Sequence, residues 1–273
     1  MFFIFLLFFS FVSSYSRPSI RVKKISVKKE YRKKVRVFKI NIAKDHYWLV
    51  LPRDFSNAKK YPVVLYLHGR KYDPPLSDRA ALHLFTRWLP AIKKLKFALV
   101  LPTLPLRSYP TWTMRDNPFL VKVVKDVRRR LNQSSSPLYF AGFSAGALHS
   151  VYVGLNNYIK VDGICAFGYG LAQNYRTIPS NVKNIPVFLA VGKYDRYIRS
   201  NVRYSYRVLK KIHFRDVTYK EYPIGHWVHE DFIKDIQKWV AMRSKQYFAA
   251  HNFDFSASLR LSRRDGQHTS SVN

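Results

Sequence analysis

The chain has 273 residues, with 48 Lys and Arg against 16 Asp and Glu, for a formal net charge of +32. Apolar residues make up 47% and aromatics 16%, a composition that excludes a disordered chain and can fill one large domain. The single cysteine, Cys165, excludes an internal disulfide framework and any cysteine-rich metal site.

The first twelve residues are apolar and uncharged, too short a run to span a bilayer comfortably. Small residues at Ser14 and Ser16 fit cleavage after Ser16, as in a secretory signal peptide. No cation precedes the run and a dense basic stretch follows it, so an uncleaved membrane anchor stays open beside secretion. The positive charge extends from Arg21 to Arg264, so it is read first as a property of the whole surface. It implies at most weak electrostatic association with polyanions or an anionic membrane, and no specific nucleic-acid recognition.

Alternation of apolar and polar residues over 35–42 predicts a half-buried strand, and 46–51 a second strand, together a hairpin. From Pro62 to Leu67 the run is continuously apolar, as in a strand buried on both faces of a parallel sheet. Further strands are expected at 97–102, 137–142, 161–167, 185–191 and 217–222. Helices are expected at 78–95, 117–131, 144–156, 201–213 and 229–243. Strands alternating with helices imply a mostly parallel sheet with helices on both faces. From about Tyr247 the periodicity is lost, and 247–273 reads as a disordered basic tail. Cys165 lies in an apolar run and reads as a buried hydrophobe. One sequon, Asn132-Gln133-Ser134, is a candidate glycan site if the chain is secreted.

Gly142-Phe143-Ser144-Ala145-Gly146 is a G-x-S-x-G between an expected strand and an expected helix. That context turns a weak pattern into a strong one. A sharp strand-to-helix turn raises the serine hydroxyl above the sheet, and the glycines let neighbouring chain pass close by. A serine hydroxyl needs a base, and the base needs an orienting group. Asp195 follows the strand at 185–191 and is the candidate acid. His226 follows the last strand and is the candidate base, with His229 as its rival. Ala145, next after the nucleophile, is expected to supply one oxyanion N–H.

With the strands leading to 61–69, the elbow, Gly192–Asp195 and Tyr222–His226, residues 32–242 resemble the α/β-hydrolase superfamily. Within it they are similar to compact esterases of the polyhydroxybutyrate-depolymerase and feruloyl-esterase-like type. The resemblance implies an α/β-hydrolase fold over 17–246, the order Ser144, Asp195, His226, and a second oxyanion donor at Arg70 N–H. Gly69 would let the backbone approach, and His68 would be structural. Only about eighteen residues separate the strands at 161–167 and 185–191, which leaves no room there for a cap domain. The site is therefore expected to be open.

Trp112 is a candidate pocket residue, and equally a core one. Arg70, Lys71, Lys193 and Arg196 flank the catalytic loops, so a preference for anionic esters and mere surface basicity both stay open. The expected activity is hydrolysis of carboxylic esters through an acyl-enzyme, with no cofactor. Thioester or peptide cleavage on the same triad, and an inactive hydrolase fold that binds polyanions or membranes, are the alternatives.

Overall fold

The computed structural model describes residues 34–70, 96–172 and 177–251. Among these an eight-stranded sheet has the order β1-β2-β4-β3-β5-β6-β7-β8. The strands are β1 (Val35–Ile42), β2 (Asp45–Pro52), β3 (Val63–Leu67), β4 (Ala98–Pro102), β5 (Leu138–Phe143), β6 (Gly163–Phe167), β7 (Val187–Gly192) and β8 (Val217–Tyr222). β2 runs antiparallel to both neighbours, and β3 to β8 are mutually parallel. The parallel strands therefore share one carboxyl edge, and the segments that carry Ser144, Asp195 and His226 leave from it.

Four helices are described: α1 (Asn117–Leu131), α2 (Ala145–Leu155), α3 (Arg196–Lys211) and α4 (Glu230–Ala250). The period of two in β3 divides the core. Val63, Leu65 and Leu67 pack with residues of α1, α2 and α3 on one face, such as Leu120, Val151 and Val202. Val64 and Tyr66 face the other layer, where Phe232, Ile236 and Trp239 of α4 cover the sheet. Continuous apolar runs read as doubly buried strands are thus buried on both faces, as parallel strands require.

The strands lie within two residues of the sequence expectation; two helices differ more. α3 starts at Arg196, five residues before the expected Asn201, because its first turn sets Ile198 against the core beside an exposed Tyr197 and two arginines, which gives no clear apolar period. α4 continues to Ala250, past the expected end at Arg243 and into the segment read as tail. Its buried stripe Ile236, Val240, Ser244, Phe248 steps by four, and the polar Ser244 hides the pattern. Ser244 Oγ donates to Val240 O at 2.6 Å and lies 3.2 Å from Tyr139 OH, so burying this hydroxyl leaves it satisfied. The helix expected at 78–95, the segment 1–16 and the tail from 252 onward lie outside the described residues.

Candidate active site

β5 is buried up to Gly142, and the chain then reverses at Ser144 with φ 54° and ψ −118°. An L-residue in that region is strained by roughly 1–3 kcal/mol, so the surroundings must enforce it. They do so by close approach. A Cβ on Gly142 would lie 2.3 Å from Gly146 O, and one on Gly146 would lie 2.1 Å from Leu67 O. Ser144 N–H donates to Phe167 O at 2.8 Å, and Leu148 N–H returns to Ser144 O at 3.0 Å. Ser144 is thereby pinned between β3, β6 and the first turn of α2.

His226 stands in the loop after β8. Its Nε2 lies 2.9 Å from Ser144 Oγ and its Nδ1 lies 2.5 Å from Asp195 Oδ2. A carboxylate only accepts, so Nδ1 carries the proton and Nε2 presents its lone pair to the serine hydroxyl. The loops that carry Asp195 and His226 are joined by backbone bonds, Lys193 N to Tyr222 O at 2.6 Å and Tyr194 N to Ile224 O at 2.9 Å. The Phe143 ring packs on the imidazole with centroids 4.8 Å apart. His229 is occupied elsewhere. It is the N-cap of α4, its Nδ1 accepting from Asp231 N at 3.2 Å.

Ala145 opens α2, where the first-turn amides have no partner within the helix. The placement of Arg70 follows from His68. The buried His68 ring bonds Gly69 O through Nδ1 at 2.8 Å and meets Leu104 N through Nε2 at 3.4 Å. Gly69 C=O is therefore held toward the imidazole. In a trans peptide the next N–H points the opposite way, so Arg70 N–H is turned away from that ring. Gly69 sits against Ser144: a Cβ there would be 3.4 Å from Ser144 Cβ. Trp112 Nε1 donates to His68 O at 2.9 Å and secures the same loop.

Beside Ala145 lies a cleft of about 240 Å³, whose lining includes Trp112, Met114, Leu148, His149 and Tyr152. Trp112 is both buried and part of this wall, so the core and pocket readings each hold for it. The rings of Trp112, His149 and Tyr152 follow one another with centroids 6.1 and 6.0 Å apart and planes within 27°. Burial lowers the His149 pKa to about 4, so the imidazole is neutral at pH 7. Its Nε2 has no hydrogen-bond partner among the described residues. Sequence reasoning missed His149; the available signal was a polar residue five positions past the nucleophile, inside an apolar helix. Among the described residues no Asp, Glu, Lys or Arg lines the cleft. Cys165 is buried, and burial raises its thiol pKa well above the usual range. Among the described residues no cluster of His, Cys, Asp or Glu is placed to hold a metal.

The sheet order, with β2 alone reversed among β2 to β8 and a serine raised after β5, is on its own specific. The profile of the phospholipase/carboxylesterase family matches residues 122–244, which include the elbow and both partner loops. The chain has the α/β-hydrolase fold. Similar solved structures include a thermostable esterase, with 18% identity and TM-score 0.53 over 80% of this chain. This chain spans 62% of that esterase's length. A Rhizomucor miehei esterase aligns at 15% identity and TM-score 0.58, over 80% of this hydrolase-fold chain and 84% of its own. Zea mays acyl-protein thioesterase 2 aligns at 17% and 0.53, over 72% and 98%. No curated protein matches the chain by sequence.

Proposed function

We propose that the chain is a serine hydrolase that cleaves carboxylic esters, with Ser144 as nucleophile, His226 as base and Asp195 as orienting acid. The observation that carries this is the unbroken hydrogen-bond chain Ser144 Oγ to His226 Nε2 and His226 Nδ1 to Asp195 Oδ2. Ser144 Oγ attacks the ester carbonyl carbon as His226 Nε2 takes its proton. The tetrahedral oxyanion is met by Ala145 N–H and Arg70 N–H. Collapse expels the alcohol, which leaves with the proton from His226, and Ser144 holds the acyl group. Water attacks in turn, giving its proton to His226, and the acid departs as Ser144 is restored.

The cleft beside Ala145 suits the acyl group. Its described lining holds no lysine, arginine or carboxylate, which favours an uncharged acyl part, because an unpaired charge pays heavy desolvation there. Arg70, Lys193 and Arg196 are exposed outside it, which favours surface basicity over selection of an anionic acyl group. In our reading the apolar segment 1–16 sends the chain to the secretory pathway or anchors it. The exposed Asn132 is compatible with a glycan. No helix among the described residues is long and apolar enough to cross a membrane.

Hydrolysis of matched p-nitrophenyl acetate, butyrate and succinate esters, with the corresponding butyryl thioester, tests this. Turnover of the neutral esters, lowered at least about a thousandfold in Ser144→Ala, is expected. Equal residual rates in both proteins contradict it, and thioester turnover alone moves the reading to a thioesterase.

A further inference from the structure

The exposed apolar side chains are not scattered. Among the described residues eight large ones are exposed, and five of them lie in the segments that follow β4, β7 and β8, Met114 twelve residues beyond Pro102 with its Sδ accepting from Tyr152 OH at 2.7 Å. These are Leu106 (72% exposed), Met114 (63%), Tyr194 (65%), Tyr197 (90%) and Trp227 (51%). The sheet order places Ser144, which leaves β5, between them. Leu106 and Met114 lie on the β4 side, and Tyr194, Tyr197 and Trp227 on the β7–β8 side. With neighbouring strands ~4.8 Å apart, β4 lies roughly 19 Å from β7 and roughly 24 Å from β8.

Cations share this edge. Arg70, Arg115, Lys193 and Arg196 are exposed and make no ion pair with any described residue. Elsewhere carboxylates hold some of the basic groups, Asp126 pairing with Arg129 and Arg130 and Glu221 with Arg199 and Arg203, while others, such as Lys210 and Lys211, are exposed and unpaired among the described residues. The carboxylates nearest the rim are themselves engaged, Asp195 by His226 and both Glu230 and Asp231 by Lys234.

We propose that this rim is a docking face for an anionic lipid bilayer, seating the catalytic cleft against the lipid surface. Trp and Tyr settle at the headgroup boundary, Leu and Met reach the acyl region, and Lys and Arg meet anionic headgroups. A polyanionic glycan or nucleic acid would use the cations and aromatic rings, but it gives Leu106 and Met114 nothing to contact. The overall charge of +32 draws the protein toward any anionic surface without orienting it. The rim supplies the orientation. This inference stands apart from the esterase reading, since a bilayer would be bound whether or not Ser144 reacts.

The test is vesicle co-sedimentation of the full chain with 30% phosphatidylglycerol in phosphatidylcholine, against pure phosphatidylcholine. Lys193→Gln/Arg196→Gln removes two rim charges, and Lys210→Gln/Lys211→Gln removes two at the far end of α3. About twenty-five-fold weaker binding is expected for the rim pair, at about fivefold per cation, and a much smaller loss for the remote pair. Leu106→Ser/Tyr197→Ser is expected to weaken binding about tenfold with unchanged melting temperature and unchanged hydrolysis of a soluble short ester. The segment 1–16 is common to every protein, so the comparison reads the rim. Equal losses from the two charge pairs, no loss from the apolar pair, or tighter binding to heparin than to these vesicles overturns the proposal.

Discussion

Trp112 donates its indole N–H to the carbonyl of His68 across 2.9 Å, so one side chain forms part of the cleft wall and tethers the loop at 68–70, the proposed oxyanion loop. The two duties separate by substitution. Trp112→Phe keeps a ring in the wall but removes the tether. We expect kcat to fall on the order of tenfold with KM nearly unchanged, because a mispositioned donor costs most in the transition state. Steady-state kinetics on p-nitrophenyl butyrate checks this; a change confined to KM would make the bond irrelevant to catalysis.

The buried His149 sets a limit on acid stability. Its pKa falls from 6.5 to about 4 because burial penalises the charged ring. Below pH 6.5 the unfolded chain therefore binds more protons than the folded one, and stability falls with pH until it passes about 4. The loss is on the order of 3 kcal/mol across that window. Glu221 acts lower. The charge-assisted bonds from Arg199 and Arg203, and the Tyr219 hydroxyl, outweigh desolvation and bring it to about 2, so its contribution is lost between 4.5 and 2. Urea midpoints at pH 7.5, 5.5 and 4.5 are expected to decline steeply in the wild type and much less in His149→Phe. Parallel declines would mean that His149 is not the group responsible.

Asp195 and His229 make a paired prediction. Asp195→Asn keeps the shape but offers an amide where Nδ1–H needs an acceptor, so kcat should drop by about 10³–10⁴. His229→Ala removes only a helix cap, and a stability loss of about 1 kcal/mol with unchanged kcat is expected. Denaturant melts beside kinetics distinguish the two. A large kcat effect in His229→Ala would reopen the choice of base.

Gly146→Ala tests the elbow as a packing problem. The new methyl would sit 2.1 Å from a backbone oxygen of β3, which cannot swing aside like the end of a side chain. A destabilisation of about 2–3 kcal/mol, with loss of activity exceeding the unfolded fraction, is expected from thermal melts and active-site titration. An unperturbed melting temperature would show that β3 and α2 are less closely packed.

Legibility in the sequence followed the strength of each local signal. β3 and β7 announce themselves as apolar runs because both faces are covered, and the elbow is visible because its chemistry needs two glycines at a fixed spacing. The candidate triad was readable from loop positions after β5, β7 and β8, since the fold gathers those ends at one edge. His149 was not readable, because an imidazole in an apolar helix declares neither its burial nor its stacking between Trp112 and Tyr152. Nor was the rim: Leu106 and Tyr197 lie 91 positions apart and share an edge only once the sheet order is known. Helix ends were misplaced where a polar residue occupied a buried step, as at Ser244, or where the first turn set only Ile198 against the core, as after Arg196.

The most direct test of the central claim is chemical. Incubating the folded protein with a fluorophosphonate and measuring intact mass should show one added phosphonyl group per chain, mapped by peptide analysis to Ser144 and absent from Ser144→Ala. A folded wild-type protein that remains unmodified, or a label carried on another residue, would contradict it.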